Sequence, residues 1–312
     1  MNIYRNFAPT QPFCGIRSAV TLGTFDGVHV GHRQILKRVV EYSRKSGDKA
    51  VVVTFDKHPI SVLNPENSPG MLTTLNEKIE LFAEAGIDST FILTFTQQIA
   101  RMSAELFIKE YFIDCLGMTC FIVGYDHGFG KDRKASTKEL REYAHHLKFC
   151  LEIVKPVIRC GTIVKSSTIR SRILEGKVGA AATLLGRNYS FRGKVIHGQG
   201  IGNNIGIPTA NLLKEDLEKI LPLSGVYAGW VELEGKKLHA VISIGSRPTF
   251  NSPEEAIEVH IPGYTGDLYG QYLHIGFYDR LREIQKFDSE ESLVEQIKKD
   301  IEISKKITHK IS

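Results

Sequence analysis

The sequence predicts an α/β chain of two folds in series: a parallel sheet with interleaved helices over residues 1–185, then an antiparallel β-barrel with a terminal helix over residues 186–312. Three observations carry this. Up to about residue 185, short apolar β-branched runs alternate with stretches of helical periodicity, and strands separated by helices pair in parallel. From Tyr189 the texture changes to short β runs broken by Gly and Pro, with no helical period until the C-terminus, as in a closed or nearly closed barrel. At 312 residues the chain is also long for a single core, which favours two domains.

Residues 20–25 form the first clear strand, and Gly23 and Gly27 permit turns that a side chain would block. From about Gly31 the spacing is helical. Ile35, Leu36, Val39 and Val40 recur on one face up to Gly47, a plausible stop, and residues 49–55 (KAVVVTF) read as the next strand. The helix of this βαβ unit begins at His32, so its free N–H groups and positive dipole end face whatever sits over residues 26–31, which suits an anion. His29 and His32 can donate hydrogen bonds to phosphate oxygens, and Gly31 lets a ligand approach the backbone. A metal pair and two structural histidines in a turn are the alternatives; against the first, no third ligand stands at a zinc spacing.

A turn at residues 56–59 leads into a loop rich in Pro, Asn and Ser. Residues 72–86 then read as a helix with Thr74 as cap and Ile79, Leu81, Phe82 and Ala85 at helical spacing. Residues 90–95 and 119–123 are strands, with a helix over 103–116 between them. Ligands of such a sheet sit over the carboxyl ends of its strands. The loop at 123–133 lies there, with Gly124, Gly128 and Gly130 opening the backbone, Asp126 for a ribose or metal-bound water, and Arg133 for phosphate. At 165–174 (KSSTIRSRIL) a helix opens on Ser166, Ser167 and Thr168, which can cap it and bond phosphate oxygens, and Arg170 can neutralise charge one turn in.

The barrel strands are expected at 191–196, 225–233, 238–244, 256–261 and 272–277. Residues 198–212 (GQGIGNNIGIPTANL) join a glycine loop, with Gly198, Gly200 and Gly202, to a PTAN tetrapeptide that could be an ordinary turn. Thr209 offers a hydroxyl and Asn211 an amide oxygen, hard ligands that suit magnesium. Glu258 sits mid-strand among apolar neighbours, where an unpaired carboxylate is costly, unless alternation turns it to solvent. At the end Asp288 and Glu291 form a capping box, and Leu293, Ile297 and Ile301 a stripe that packs on the barrel.

Net charge is +5, with Lys and Arg spread along the chain, which suits anionic small molecules and gives no basic block for nucleic acid. Five cysteines, an odd number without CxxC, imply reduced thiols in a cytoplasmic protein. The first residues lack an apolar h-region and no apolar run approaches a membrane span, so neither export nor a membrane anchor is expected.

GTFDGVHVGH resembles the HxGH signature of the nucleotidyltransferase superfamily, and in its longer form the bacterial bifunctional riboflavin kinase/FAD synthetase family. TFDKHP, LTTLNEKIELFAEAGID and the two later loops follow in family order, so the likeness covers nearly all of residues 14–186. PTAN, PLSGVYA (222–228), RPTF (247–250) and IEVH (257–260) resemble the riboflavin kinase domain over 187 to about 306. The resemblance implies a Rossmann-like FMN adenylyltransferase domain over residues 1–185 and a riboflavin kinase domain over residues 186–312. Riboflavin, FMN, FAD and ATP are the implied small-molecule partners, with Mg2+, and neither nucleic acid nor membrane is involved.

It further implies that Glu258 is the base receiving the proton of the riboflavin 5′-hydroxyl, that Thr209 and Asn211 position magnesium, and that Arg282 meets the flavin. His29, His32, Ser166, Ser167, Thr168 and Arg170 would orient the ATP triphosphate over the turn of Gly23, Phe25, Asp26 and Gly31. Three positions depart from the family: Asn203 stands where an arginine is usual, Lys57 where a proline is usual, and Ile284 where an acidic residue is frequent. The missing loop arginine leaves open a chain that is mainly an FMN adenylyltransferase with a weak or inactive kinase-like domain. A regulator that binds without turnover, or an adenylyltransferase for another acceptor, is a further alternative.

Overall fold

The computed structural model describes residues 1–9, 16–128, 136–198, 202, 205–249 and 252–311. They form two compact units, Met1–Ser166 and Ser167–Ser312. The sequence places the domain boundary near 185; by contacts, residues 167–185 group with the second unit.

In the first unit β1 (Asn2–Tyr4), β2 (Ser18–Leu22), β3 (Lys49–Phe55), β4 (Ser89–Leu93), β5 (Met118–Gly124) and β6 (Cys150–Val154) make one sheet, ordered β1-β4-β3-β2-β5-β6. Every pairing is parallel. All five residues of β2 are buried because it lies mid-sheet with packing on both faces. Alternate residues of β3 divide between two cores: Ala50 and Val52 face one, Val51, Val53 and Phe55 the other. The chain runs outward from β2 through β3 and β4, then returns to β5 on the other side of β2. That reversal puts a crevice over the carboxyl ends of β2 and β5, where such sheets bind ligands.

Helix α1 (Val30–Ser46) ends as expected at Gly47, in the left-handed region at φ 76°, with its N–H on the Ser43 carbonyl. It starts earlier than expected, with His29 as the cap. Leu36 and Val39 on its inner face are fully buried, each stabilising by about 1.5–3 kcal/mol. The first strand is correspondingly shorter than the 20–25 expected: it stops at Leu22, and Phe25 belongs to the turn. A short helix α2 (Pro59–Leu63) lies in the predicted loop, and α3 (Leu75–Glu84) carries the expected Thr74 cap, completed by Glu77. The helix predicted over 103–116 is α5 (Ala104–Phe107), preceded by α4 (Gln97–Arg101) and running on into a wider π-type segment, Ile108–Asp114. Helix α6 (Thr137–Leu147) precedes β6, and a small hairpin, β7 (Ile158–Arg159) and β8 (Thr162–Ile163), precedes α7 (Ser166–Leu174), inside which the two units divide.

The second unit is a closed barrel of β9 (Tyr189–Ile196), β10 (Ala210–Leu213), β11 (Gly225–Leu233), β12 (Lys236–Thr249), β13 (Ser252–His260) and β14 (Tyr272–Arg282), in the order β10-β13-β12-β11-β14-β9. All its pairings are antiparallel. Helix α8 (Val178–Leu185) packs on β14 and β9. Beside it the Leu223 N–H bonds the Ile173 carbonyl at 3.3 Å.

The terminal helix α9 (Glu290–Ile311) lies on β11, β12 and β14. Its entry differs from the expected Asp288–Glu291 box, since the Ser292 N–H donates to Ser289 Oγ at 3.2 Å. The predicted stripe of Leu293, Ile297 and Ile301 is only half-buried, while Asp300 and Ser304 are the deepest residues of the helix. Asp300 binds Arg282 of β14, and Ser304 Oγ lies 2.8 Å from His239 Nε2 of β12.

Candidate active sites

The turn from β2 into α1 is bent hard: Phe25, Gly27 and Val28 have φ of 47°, 81° and 37°. Left-handed conformations are unfavourable for Phe and Val and persist only where neighbours fix them. The neighbours are visible. The Asp26 carboxylate, 1% exposed, accepts the N–H groups of Leu72 at 2.8 Å and Thr73 at 3.2 Å. The Gly27 N–H donates to Thr73 Oγ1 at 2.9 Å, and Ser166 Oγ donates to the Asp26 carbonyl at 2.9 Å. Phe25 packs edge-on against both Phe82 and His32, at 5.5 and 5.3 Å between centroids. Two residues expected at the phosphate therefore also brace the turn with their side chains: Asp26 turns its carboxylate to backbone amides, and Phe25 packs its ring in the core. Gly23 sits close under the Phe25 ring: a Cβ there would lie 3.2 Å from it, so the ring would have to shift by a few tenths of an ångström.

This scaffold presents the histidines. His29 is buried and its Nδ1 accepts the His32 N–H at 3.2 Å, which in the neutral ring leaves the proton on Nε2 as a donor. The two imidazoles stack at 3.6 Å, with planes 16° apart. A Cβ on Gly31 would fall 3.1 Å from His29 Cε1, so only glycine leaves the stack undisturbed. No acidic residue occupies the first turn of α1, and the positive end of its dipole is left for an outside anion. Among the described residues, no group of three or more His, Cys, Asp or Glu gathers to hold a metal ion.

Gly124 ends β5 beside β2, as expected. A Cβ there would meet Ile35 Cδ1 at 3.2 Å and Asp126 Oδ1 at 3.6 Å, and Asp126 itself is exposed. Gly130 and Arg133 lie outside the described residues. Ser167, Thr168 and Arg170 follow Ser166 along α7, on the second side of the division.

The second constellation is in the barrel. PTAN is no loose turn: Ala210 opens β10, and Asn211 pairs with Glu258 of β13, which on its other side faces Ser243 of β12. Directly opposed residues share a face, about 5 Å apart at Cβ, so the amide and the carboxylate are side by side. Ile257 and Val259 are both 1% exposed, hence Glu258 points outward from the barrel as alternation requires.

That outward face is roofed where Asn211 lies. A Cβ on Gly198 would come 2.2 Å from Asn211 Nδ2, and one on Gly202 would come 2.4 Å from the Ile207 carbonyl and 3.2 Å from Thr209 Oγ1. Lacking a side chain, Gly198 can therefore lie directly against Asn211 and Gly202 against Thr209. Gly200 and Asn203 lie outside the described residues. A cleft of about 290 Å³ opens at Thr209, walled by Val195, Pro208, Val259, Tyr264 and Tyr269, the last stacked on His197 at 4.1 Å.

Arg282, expected at the flavin, is held by α9: Nε reaches both Asp300 oxygens at 3.1 and 3.0 Å, and Nη2 reaches one at 2.8 Å. Nearby, Tyr227 is fully buried and desolvation pushes its hydroxyl up to about 12, so it stays protonated and donates to the Leu223 carbonyl.

The sequence reading missed Lys78, Thr73 and Asp300. Lys78 had a signal: it lies four residues before Phe82, on the apolar face of α3, where a lysine is out of place.

A sequence model of FAD synthetase matches residues 14–168, and one of riboflavin kinase matches residues 185–308. The chain belongs to the bifunctional riboflavin kinase/FMN adenylyltransferase family. Relatives carrying that name include a Buchnera aphidicola protein, 36% identical with 93% of each chain covered, and one from Listeria monocytogenes, 34% identical over 93% of this chain and 92% of its own. The Escherichia coli K12 protein is 32% identical over 90% of each.

A crystal structure described as a macrolide-efflux protein from Streptococcus pneumoniae superposes with a TM-score of 0.91 at 32% identity, covering 98% of this chain and 99% of that one. Efflux is said of the streptococcal protein. Among the described residues here, no helix is long and apolar enough to cross a membrane.

As a family member the chain is a transferase of FAD biosynthesis, using ATP first to phosphorylate riboflavin to FMN and then to adenylylate FMN to FAD with release of pyrophosphate. Both domains are present, and the relatives' names favour two activities over the adenylyltransferase alone.

Proposed function

We propose that the two reactions are divided between the two constellations, adenylylation in residues 1–185 and phosphorylation in residues 186–312. The supporting observation is that the histidine pair and the barrel groups lie in different units: His29, Gly31 and His32 in the first, Thr209, Asn211 and Glu258 in the second.

At the barrel site, Glu258 accepts the proton of the riboflavin 5′-hydroxyl as that oxygen attacks the ATP γ-phosphorus, and ADP leaves. Thr209 and Asn211 fit Mg2+ chemically: their oxygens are hard donors, and the glycine roof brings a nucleotide's phosphates close to them. When bound, the ion neutralises phosphate charge. The cleft beside Thr209, with Tyr264 and Tyr269 next to the polar Thr265 and Asp267, suits a base or ring that carries polar edges.

At the sheet site, an FMN phosphate oxygen attacks the ATP α-phosphorus, forming the anhydride while the bond to pyrophosphate breaks. No covalent enzyme intermediate is needed. His29, His32 and the start of α1 hold the triphosphate, Gly124 and Asp126 flank it, and Ser166 and Arg133 add a donor and a charge, while Ser167, Thr168 and Arg170 are phosphate groups on the family resemblance alone. Arg282 approaches the flavin of the kinase. The protein acts in the cytoplasm.

Glu258→Gln tests the kinase assignment: FMN formation falls by roughly 10²–10⁴-fold, the range for loss of a general base. A variant within about threefold of the native rate would refute the role.

A further inference from the structure

We propose that Lys78 is a positioning residue for adenylyl transfer, a buried cation that fixes the β2–α1 turn and through it the histidine pair. Lys78 is 1% exposed on the core-facing side of α3. Burying an ammonium is unfavourable, and a methionine of similar length would fill the space without desolvating a charge. Packing alone therefore does not account for a lysine here.

Its hydrogen bonds do. Nζ donates to the Thr24 carbonyl at 3.2 Å and to the Phe55 carbonyl at 3.3 Å. These carbonyls stand just past β2 and at the end of β3, so one side chain ties together the carboxyl ends of two adjacent strands. Thr24 is followed by Phe25, whose φ of 47° starts the left-handed stretch and whose ring meets His32, which stacks on His29. Moving Thr24 moves Phe25, and moving Phe25 frees His32. Asp26 and Thr73 brace the far half of the same turn; Lys78 braces its first half. The charge also adds positive potential to a site whose ligands are polyanions, in a setting where water does not screen it.

The inference rests on adenylylation occurring at this turn, and His32→Ala separates the two claims. The experiment measures kcat and KM for FAD formation from FMN and ATP in full-length Lys78→Met and Lys78→Arg, with FMN formation from riboflavin as internal reference. Lys78→Met is expected to lose on the order of 10²-fold in kcat, the scale of a small misplacement, with KM for ATP within about threefold. FMN formation stays near native, and Lys78→Arg recovers at least about tenfold of the loss because it keeps a cation on the carbonyls.

A folded Lys78→Met with native kcat overturns the proposal while leaving the site assignment intact. So does a parallel decline of both activities without rescue by arginine, which marks a purely structural residue. If Lys78→Met does not fold, Lys78→Gln takes its place, and failure of both to fold also overturns it. If His32→Ala still makes FAD at the native rate, the site assignment fails instead.

Discussion

His29 shows how much rests on one imidazole: it caps α1, stacks on His32 and lies so close over Gly31 that a methyl group there would have to push the ring aside. Gly31→Ala should therefore leave the fold intact, since alanine suits the first turn of a helix, yet displace the His29 ring by a few tenths of an ångström. FAD formation is expected to fall in kcat by roughly 10-fold or more while FMN formation stays native, a split that steady-state kinetics would reveal. At this scale the sequence was legible where chemistry is local. Glycine and histidine spacing in GTFDGVHVGH, and Thr209, Asn211 and Glu258 in PTAN and IEVH, pointed to groups that the structure gathers. The structural partners of Asp26 and Arg282 are not legible because they are remote: Asp26 bonds residues 46 and 47 positions away, and Arg282 bonds one 18 positions away. No local pattern reveals such pairs.

Helix α9 makes the same point for an element. A four-residue apolar stripe was the natural docking surface, yet Asp300 and Ser304 go deepest, because the barrel wall offers Arg282 and His239 to receive them. Removing one partner of a buried pair leaves the other uncompensated, so Asp300→Ala should destabilise the second unit by about 3–5 kcal/mol. Leu293→Ala, at a half-buried position, should lose less than the ~2–5 kcal/mol of a fully buried leucine. Urea unfolding of the two variants gives the order directly, and a larger effect for Leu293 would restore the apolar stripe as the main contact. Strand β10 was illegible for a different reason: it is four residues long and follows a proline, so PTAN reads as a turn until Ile257 and Glu258 pair with it.

Over the whole molecule, the change from parallel to antiparallel texture was plain in the sequence, but α7 and α8 looked like the end of the first series of helices. Contacts of α8 with β9 and β14, and the Leu223 N–H on the Ile173 carbonyl of α7, group them with the barrel, and Val178, Ala181 and Leu185 are buried. A fragment of residues 167–312 should consequently unfold cooperatively and at higher urea than one of residues 186–312, and both should fail to make FAD. Equal midpoints would show that the two helices add nothing to the barrel.

In the first unit Asp48 and Asp88 resist protonation. Burial raises both carboxyls, but bonds from Thr119, Ser46 and Arg17 to Asp48, and from the Ala50 amide and Arg44 to Asp88, outweigh it and hold them below the usual carboxylate range. A carboxyl depressed in the folded state stabilises fully above its unfolded value of about 3.9 and loses that contribution as pH falls through the folded value. Thermal unfolding of the first unit should thus hardly change between pH 7 and 5 and weaken below about pH 4, an effect reduced in Asp48→Asn.

The central claim is that one chain carries two separate ATP-using sites. Product analysis tests it most directly, with riboflavin or FMN supplied alongside ATP and magnesium to the full-length protein, His32→Ala and Glu258→Gln. His32→Ala should accumulate FMN from riboflavin at close to the native rate and form no FAD, while Glu258→Gln should convert FMN to FAD normally and make little FMN from riboflavin. Equal loss of both products in either folded variant would contradict the account.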